Sequence, residues 1–163
     1  EGKNVLITGA GGVARVMAFE AARVAHTVTI ISRRPEQAKA LTEDVKTAFP
    51  SASLFCEFPT DNAKFDVLLQ GTPAGMSPYV DLLPVEENVL KYIPYIFDTI
   101  YNPCETKLLK TARKYGAVCA NGSAMLVGQA AAAQYLWTGF RFAQSDIDEI
   151  TDAVTKKLTC TDI

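Results

Sequence analysis

The feature that most constrains this chain is a glycine turn set between a strand and a helix. Asn4 to Thr8 is a short apolar run, read as a buried strand, and it ends at Gly9-Ala10-Gly11-Gly12-Val13-Ala14. Gly11 to Ala25 then reads as a helix, with Val13, Val16, Met17 and Ala21 spaced as an apolar face. Gly9 permits a tight turn, and Gly11 lets backbone approach a pyrophosphate. Ala14, in the third small position, allows the helix to lie close to the strand. The free amides of the helix start and the helix dipole favour phosphate charge. Taken alone, such a glycine pattern also fits a tight turn in a domain that binds nothing. Its setting between strand and helix directs it toward a dinucleotide.

The rest of the chain repeats the alternation. Thr27 to Ser32 is β-branched and reads as a second strand. Pro35 opens a helix that runs to about Phe49, where Pro50 stops it. Ser53 to Phe58 reads as a third strand, Thr60-Asp61-Asn62 as a turn, and Phe65 to Gln70 as a fourth strand. A short helix over Pro84 to Tyr92 precedes a fifth strand, Tyr95 to Ile100. Thr106 to Tyr115 is a helix closed by Gly116, and Ala117 to Ala120 a short sixth strand. A long helix follows from Ser123 to Trp137, its Ala130 to Ala133 block suited to close packing. An amphipathic helix from Ser145 to Leu158 ends the chain. Strands separated by helices imply parallel pairing and right-handed crossovers. The expected architecture is a Rossmann-type, doubly wound, mainly parallel six-stranded sheet in the order 3-2-1-4-5-6. Residues 1–140 are expected to form the nucleotide domain and 141–163 a helical extension.

The end of the second strand selects the cofactor. NAD-binding chains carry an acidic residue there, about 20 residues after the glycines, to hold the ribose 2′-hydroxyl. Here the sequence is Ser32-Arg33-Arg34, without an acid. A guanidinium binds a 2′-phosphate bidentately where a carboxylate would repel it, so NADP(H) is favoured over NAD. The bland alternative is that both arginines are simply solvated.

Composition removes several classes of function. The formal charge of −2 offers no basic surface for nucleic acid. Runs such as Val67-Leu68-Leu69 are too short to span a bilayer, and no basic-then-apolar leader opens the chain. Cys56, Cys104, Cys119 and Cys160 are widely spaced, unlike a zinc site or a disulfide framework. A reduced, cytoplasmic setting is expected, with an organellar location of a longer parent left open. The single histidine, His26, falls in a turn, so neither a metal site nor a serine-type triad is expected. The start at Glu1 reads as a cut from a longer protein.

Further motifs carry a family resemblance. Gln70-Gly71-Thr72-Pro73-Ala74-Gly75-Met76 follows the fourth strand, and Asp98-Thr99-Ile100-Tyr101-Asn102-Pro103 follows the fifth, with Thr106-Lys107-Leu108-Leu109 close behind. Gly122-Ser123-Ala124-Met125-Leu126-Val127-Gly128-Gln129-Ala130 opens the long helix, which ends in Leu136-Trp137-Thr138-Gly139. In this order they resemble the C-terminal cofactor domain of shikimate and quinate/shikimate dehydrogenases, from about Asn4 to Gly139. The resemblance implies NADP-dependent hydride transfer between 3-dehydroshikimate and shikimate in aromatic amino-acid biosynthesis. It implies that Arg33 contacts the 2′-phosphate, that Thr72, Pro73 and Met76 line the cofactor, and that Gly122 and Met125 lie beside the nicotinamide. Tyr101 and Gln129 would reach the substrate.

Three positions depart from the family pattern: Ser32 and Gln70 stand where Asn is frequent, and Gln37 where a basic residue is frequent. The resemblance also implies that the catalytic lysine and aspartate lie in a substrate domain preceding the glycine turn. That domain is expected to be absent from this chain, which is therefore expected to be inactive alone. Alternatives are a quinate/shikimate enzyme of broader substrate or cofactor use, and another NADP reductase of the glutamyl-tRNA or methylene-tetrahydrofolate type. A nucleotide-sensing regulatory module without enzyme activity is a third. Ile147, Ile150, Val154 and Leu158 make an apolar stripe on the last helix. It is expected either to cover this domain's own elements or to associate with a second copy.

Overall fold

Six parallel strands form one sheet, in the spatial order third, second, first, fourth, fifth, sixth along the chain. The computed structural model describes residues 1–57 and 64–159. Phe58, the Thr60-Asp61-Asn62 turn and Cys160 lie outside the described residues. The strands are β1 (Asn4–Thr8), β2 (Thr27–Ile31), β3 (Leu54–Phe55), β4 (Val67–Gln70), β5 (Tyr95–Asp98) and β6 (Val118–Ala120). The helices are α1 (Gly12–Val24), α2 (Pro35–Ala48), α3 (Glu87–Leu90), α4 (Lys107–Lys114), α5 (Ser123–Thr138) and α6 (Gln144–Thr159). Chain order and spatial order diverge at β1. β1 pairs on one side with β2, Leu6 facing Thr29, and on the other with β4, Leu6 facing Leu68. Such a reversal opens a crevice at the carboxyl ends of the strands.

Alternation along β1 builds two cores. Leu6 faces Leu68, Leu90, Ile96, Leu108 and Leu109 on one side of the sheet. Val5 and Ile7 face Ala14, Ala18, Leu41 and Val45 on the other. A strand buried on both faces reads as a continuous apolar run, as Val5-Leu6-Ile7 does.

Several elements differ from their sequence expectation. The buried face of α1 is Ala14, Ala18 and Ala21, while Val16 is 64% exposed. The helix approaches the sheet so closely that small residues line the contact. β3 sits at the sheet edge and pairs only through Val28–Leu54 and Thr29–Phe55, so it is shorter than its apolar run. The expected helix over Pro84 to Tyr92 forms only across Glu87–Leu90. α6 packs on α5 rather than on the sheet. Ile147, Thr151, Val154, Thr155 and Leu158 form its half-buried face, and Ile150 lies exposed at the margin. In the alanine block of α5, Ala131 and Ala133 are half-buried and Ala130 and Ala132 exposed.

Candidate functional site

The glycine turn is held by geometry that admits no side chain at its first position. Gly9 has φ +101°, and a Cβ there would stand 2.7 Å from the backbone oxygen of Gly71. Its amide donates to the Ile31 carbonyl at 2.8 Å, fixing the turn between β1 and β2. Ala10 follows, and then the helix begins. Gly11 is the N-cap of α1 with no side chain capping the helix, and no acid stands in the first turn. Gly11 and Gly12 are exposed, and a Cβ on either would meet no protein atom. Val13 is half-buried in the first turn, and Ala14 is fully buried. A Cβ on Gly71 would approach that of Ala14 to 3.1 Å, which accounts for the small residues at both positions. The result is an uncapped helix start opening to solvent, the arrangement that receives an anion.

Gln70 organises the loop after β4. It is fully buried. Its Oε1 accepts from the Thr8 hydroxyl at 2.6 Å and the Thr72 amide at 2.9 Å. Its Nε2 donates to the carbonyls of Ala74 at 2.9 Å and Thr72 at 3.2 Å. One side chain thus ties the ends of β1 and β4 to the turn Gly71–Gly75, so the departure from Asn at this position retains a fully bonded loop.

Two clefts meet on that loop. The first has a volume of about 490 Å³ and is walled by Gly9, Ser32, Arg33, Pro35, Glu57 and Leu83, among others. The second, of about 570 Å³, includes Met76, Val80, Tyr101 and Asn102. Thr72 and Pro73 belong to both. A long ligand laid along the strand ends would therefore cross the glycine turn and occupy one cleft on each side of Thr72-Pro73. Ser32 Oγ accepts from the Arg34 amide at 3.3 Å, and Arg34 is the N-cap of α2. Arg33 is exposed, and no carboxylate among the described residues ion-pairs with it. Its guanidinium is available to an anion in the first cleft.

The remaining expected residues are less gathered. Tyr101 is 39% exposed on the second cleft. Gly122, Met125 and Gln129 line neither cleft. Met125 is half-buried and Gln129 exposed on α5. Gly122 is adjacent through its amide, which donates to the Ile100 carbonyl at 3.0 Å. A Cβ on Gly122 would lie 2.0 Å from the Thr99 backbone oxygen, so this glycine is required by packing.

Sequence reasoning did not single out Asp98. It is fully buried at the end of β5, accepting from the Thr106 hydroxyl at 2.6 Å and the Ile100 amide at 3.0 Å. Burial pushes its carboxyl up to about 6, against both hydrogen bonds, which favour the charged form. Thr106 in turn caps α4 by accepting from the Leu109 amide. Asp98 thereby braces Ile100, which lines the second cleft. Glu57 and the Leu82-Leu83-Pro84 wall were also missed; no local motif marks them. Among the described residues there is no group of three potential metal ligands, and no helix is long and apolar enough to cross a membrane.

No family model matches the chain. A shikimate dehydrogenase (NADP+) from Caldanaerobacter subterraneus subsp. tengcongensis is 39% identical over 91% of this chain and 54% of the relative. The same-named protein of Methanocaldococcus jannaschii is 36% identical over 96% of this chain and 56% of the relative. Both of these relatives bear the name shikimate dehydrogenase (NADP+). The chain spans about half the length of these curated relatives. A crystal structure of a shikimate dehydrogenase in complex with NADP+ superposes with a TM-score of 0.83 at 34% identity, covering 98% of this chain and 56% of that one. The likeness to shikimate dehydrogenases thus extends over both clefts and the glycine turn.

Proposed function

We propose that this chain is the NADP(H)-holding domain of a shikimate-type dehydrogenase, with residues 1–140 carrying the cofactor and 141–163 a helical extension. The observation that carries the reading is the pair of clefts joined at Thr72-Pro73, with an exposed Arg33 in one and an uncapped helix start beside them. Arg33, helped by Ser32 and Arg34, would hold the 2′-phosphate, and the amides at Gly12 and Val13 the pyrophosphate. Met76 and Tyr101 would border the nicotinamide half, with Met125 and Gln129 on the neighbouring helix. When bound, the nicotinamide exchanges a hydride with a ring alcohol or ketone such as shikimate or 3-dehydroshikimate. The residues lining the second cleft would orient it. A cytoplasmic setting accords with this biosynthetic reading.

The cofactor assignment is tested by Arg33→Ala. Loss of a charge-assisted contact of roughly 1.5–3 kcal/mol should weaken NADPH at least about ten-fold in calorimetric titration. NADH affinity should stay unchanged. An equal effect on both cofactors would remove Arg33 from the 2′-phosphate site.

A second reading, an NAD-using quinate enzyme, rests on a solved quinate dehydrogenase of Corynebacterium glutamicum in complex with NAD. Its TM-score is 0.80 at 25% identity, covering 94% of this chain and 56% of that one. The exposed Arg33, with no ion-pair partner among the described residues, favours NADP(H).

Hydride transfer to a ketone also needs a proton donor near neutral pH. Among the described residues, the lining of the second cleft carries hydroxyls, an amide and apolar groups, with no lysine, histidine or carboxylate. The purified 163 residues should therefore bind NADPH without oxidising it in the presence of 3-dehydroshikimate. Saturable loss of NADPH absorbance would show that an acid–base group lies within this chain.

A further inference from the structure

We propose that Glu57 reads the base of the nucleotide, accepting a hydrogen bond from the exocyclic amino group of adenine. The inference rests on the cofactor reading above. β3 pairs with β2 through Thr29–Phe55, so Cys56 and Glu57 leave the sheet beside the end of β2, where Ser32 and Arg33 also emerge. All four border the first cleft. Among the described residues lining it, Glu57 is the one acid and Arg33 the one base, and they do not form an ion pair with each other. The same lining carries an apolar set, Pro35, Leu82, Leu83 and Pro84.

This separation of charge sorts the parts of an adenosine 2′-phosphate. The phosphate is drawn to Arg33 and repelled by Glu57. The apolar wall suits the flat face of a purine. An ionised carboxylate only accepts hydrogen bonds, and the strong donor on adenine is its amino group. Hypoxanthine carries an oxygen at that place, which would face the carboxylate acceptor to acceptor. A polar group built to receive one donor rejects an analogue lacking it.

The test compares NADPH with its deaminated analogue, reduced nicotinamide hypoxanthine dinucleotide phosphate, by titration of the intact chain. The wild type should prefer NADPH at least about ten-fold. Glu57→Ala should reduce that preference to within about three-fold, the loss falling on NADPH. Glu57→Gln should also narrow it, but by gain on the analogue, because its amide can donate to the hypoxanthine oxygen while still accepting from adenine. Glu57 is exposed, and thermal melts of both variants should match the wild type. An unchanged preference in Glu57→Ala would overturn the proposal. So would equal weakening of both nucleotides, which would make Glu57 a partner that orients Arg33. If the wild type failed to bind NADPH at all, the cofactor reading itself would fall. That outcome is distinct from binding without base discrimination, which overturns Glu57 alone.

Discussion

Replacing Gly122 with Ala is expected to destabilise the domain by about 3 kcal/mol or more. The added Cβ would lie 2.0 Å from the Thr99 oxygen and 2.6 Å from its carbonyl carbon. Both are backbone atoms, so no flexible side chain can move aside. The glycine has φ −77°, an ordinary value, and the obstacle is close approach rather than backbone conformation. Relief would require the start of α5 to lift from the segment after β5, breaking the hydrogen bond from the Gly122 amide to the Ile100 carbonyl. A loss of this size should lower the melting temperature by roughly 6–12 °C. Gly128→Ala is the control on the same helix. A Cβ at Gly128 meets nothing within 4 Å, so alanine should stabilise by roughly 0.5–1 kcal/mol through helix propensity. Opposite signs for one substitution, six positions apart on one element, would be hard to obtain from any nonspecific effect. Equal melting temperatures for the two variants would refute the close contact.

The second large effect is a pH dependence carried by Asp98. In the unfolded chain its carboxyl titrates near 3.8, and in the folded domain burial raises it to about 6. The folded state therefore binds the proton more tightly than the unfolded chain between those values. The stability linked to this residue is present in full below about pH 4 and lost as pH rises through about 6. A shift of this size corresponds to roughly 3 kcal/mol. In Asp98→Asn the residue is neutral throughout, while its oxygen can still accept from the Ile100 amide and its nitrogen can donate to the Thr106 hydroxyl. Chemical denaturation of both proteins from about pH 4 to pH 7 should show the wild type losing roughly 3 kcal/mol relative to the variant. Parallel profiles would mean that the carboxyl is not penalised by burial.

The parts of the fold legible in the sequence are those encoded locally. Gly9 declares a turn because a positive φ and contact with Gly71 exclude other residues, and the alternation of short apolar runs with helical patterns declares the parallel sheet and its order. Val16 misled because helical spacing was read from large apolar residues, whereas a helix held close to a sheet buries Ala14, Ala18 and Ala21 instead. The lining of the clefts is legible where a residue follows closely on a strand, as Ser32, Arg33, Thr72 and Tyr101 do. Glu57 and Leu83 were not, because they reach the cleft through sheet order and loop path. β3 is distant in sequence from β1 but lies beside β2, and that adjacency is what brings Cys56 and Glu57 to Arg33. Asp98 was visible within a motif, yet its burial depends on Thr106 and the start of α4, which periodicity does not reveal. On α6, Ile147, Val154 and Leu158 of the apolar stripe do face a partner, while Ile150 is exposed and Thr151 and Thr155 complete the packed face; the partner itself, α5, is not encoded in the pattern.

The central claim is that the first cleft is built for a nucleotide bearing a 2′-phosphate. The most direct measurement is the affinity of the wild-type chain for NADPH and NADH under identical conditions, by calorimetry at low and moderate salt. NADPH should bind at least about ten-fold more tightly, with the difference narrowing as salt screens the exposed Arg33. Equal affinities at low salt, or a preference for NADH, would contradict it.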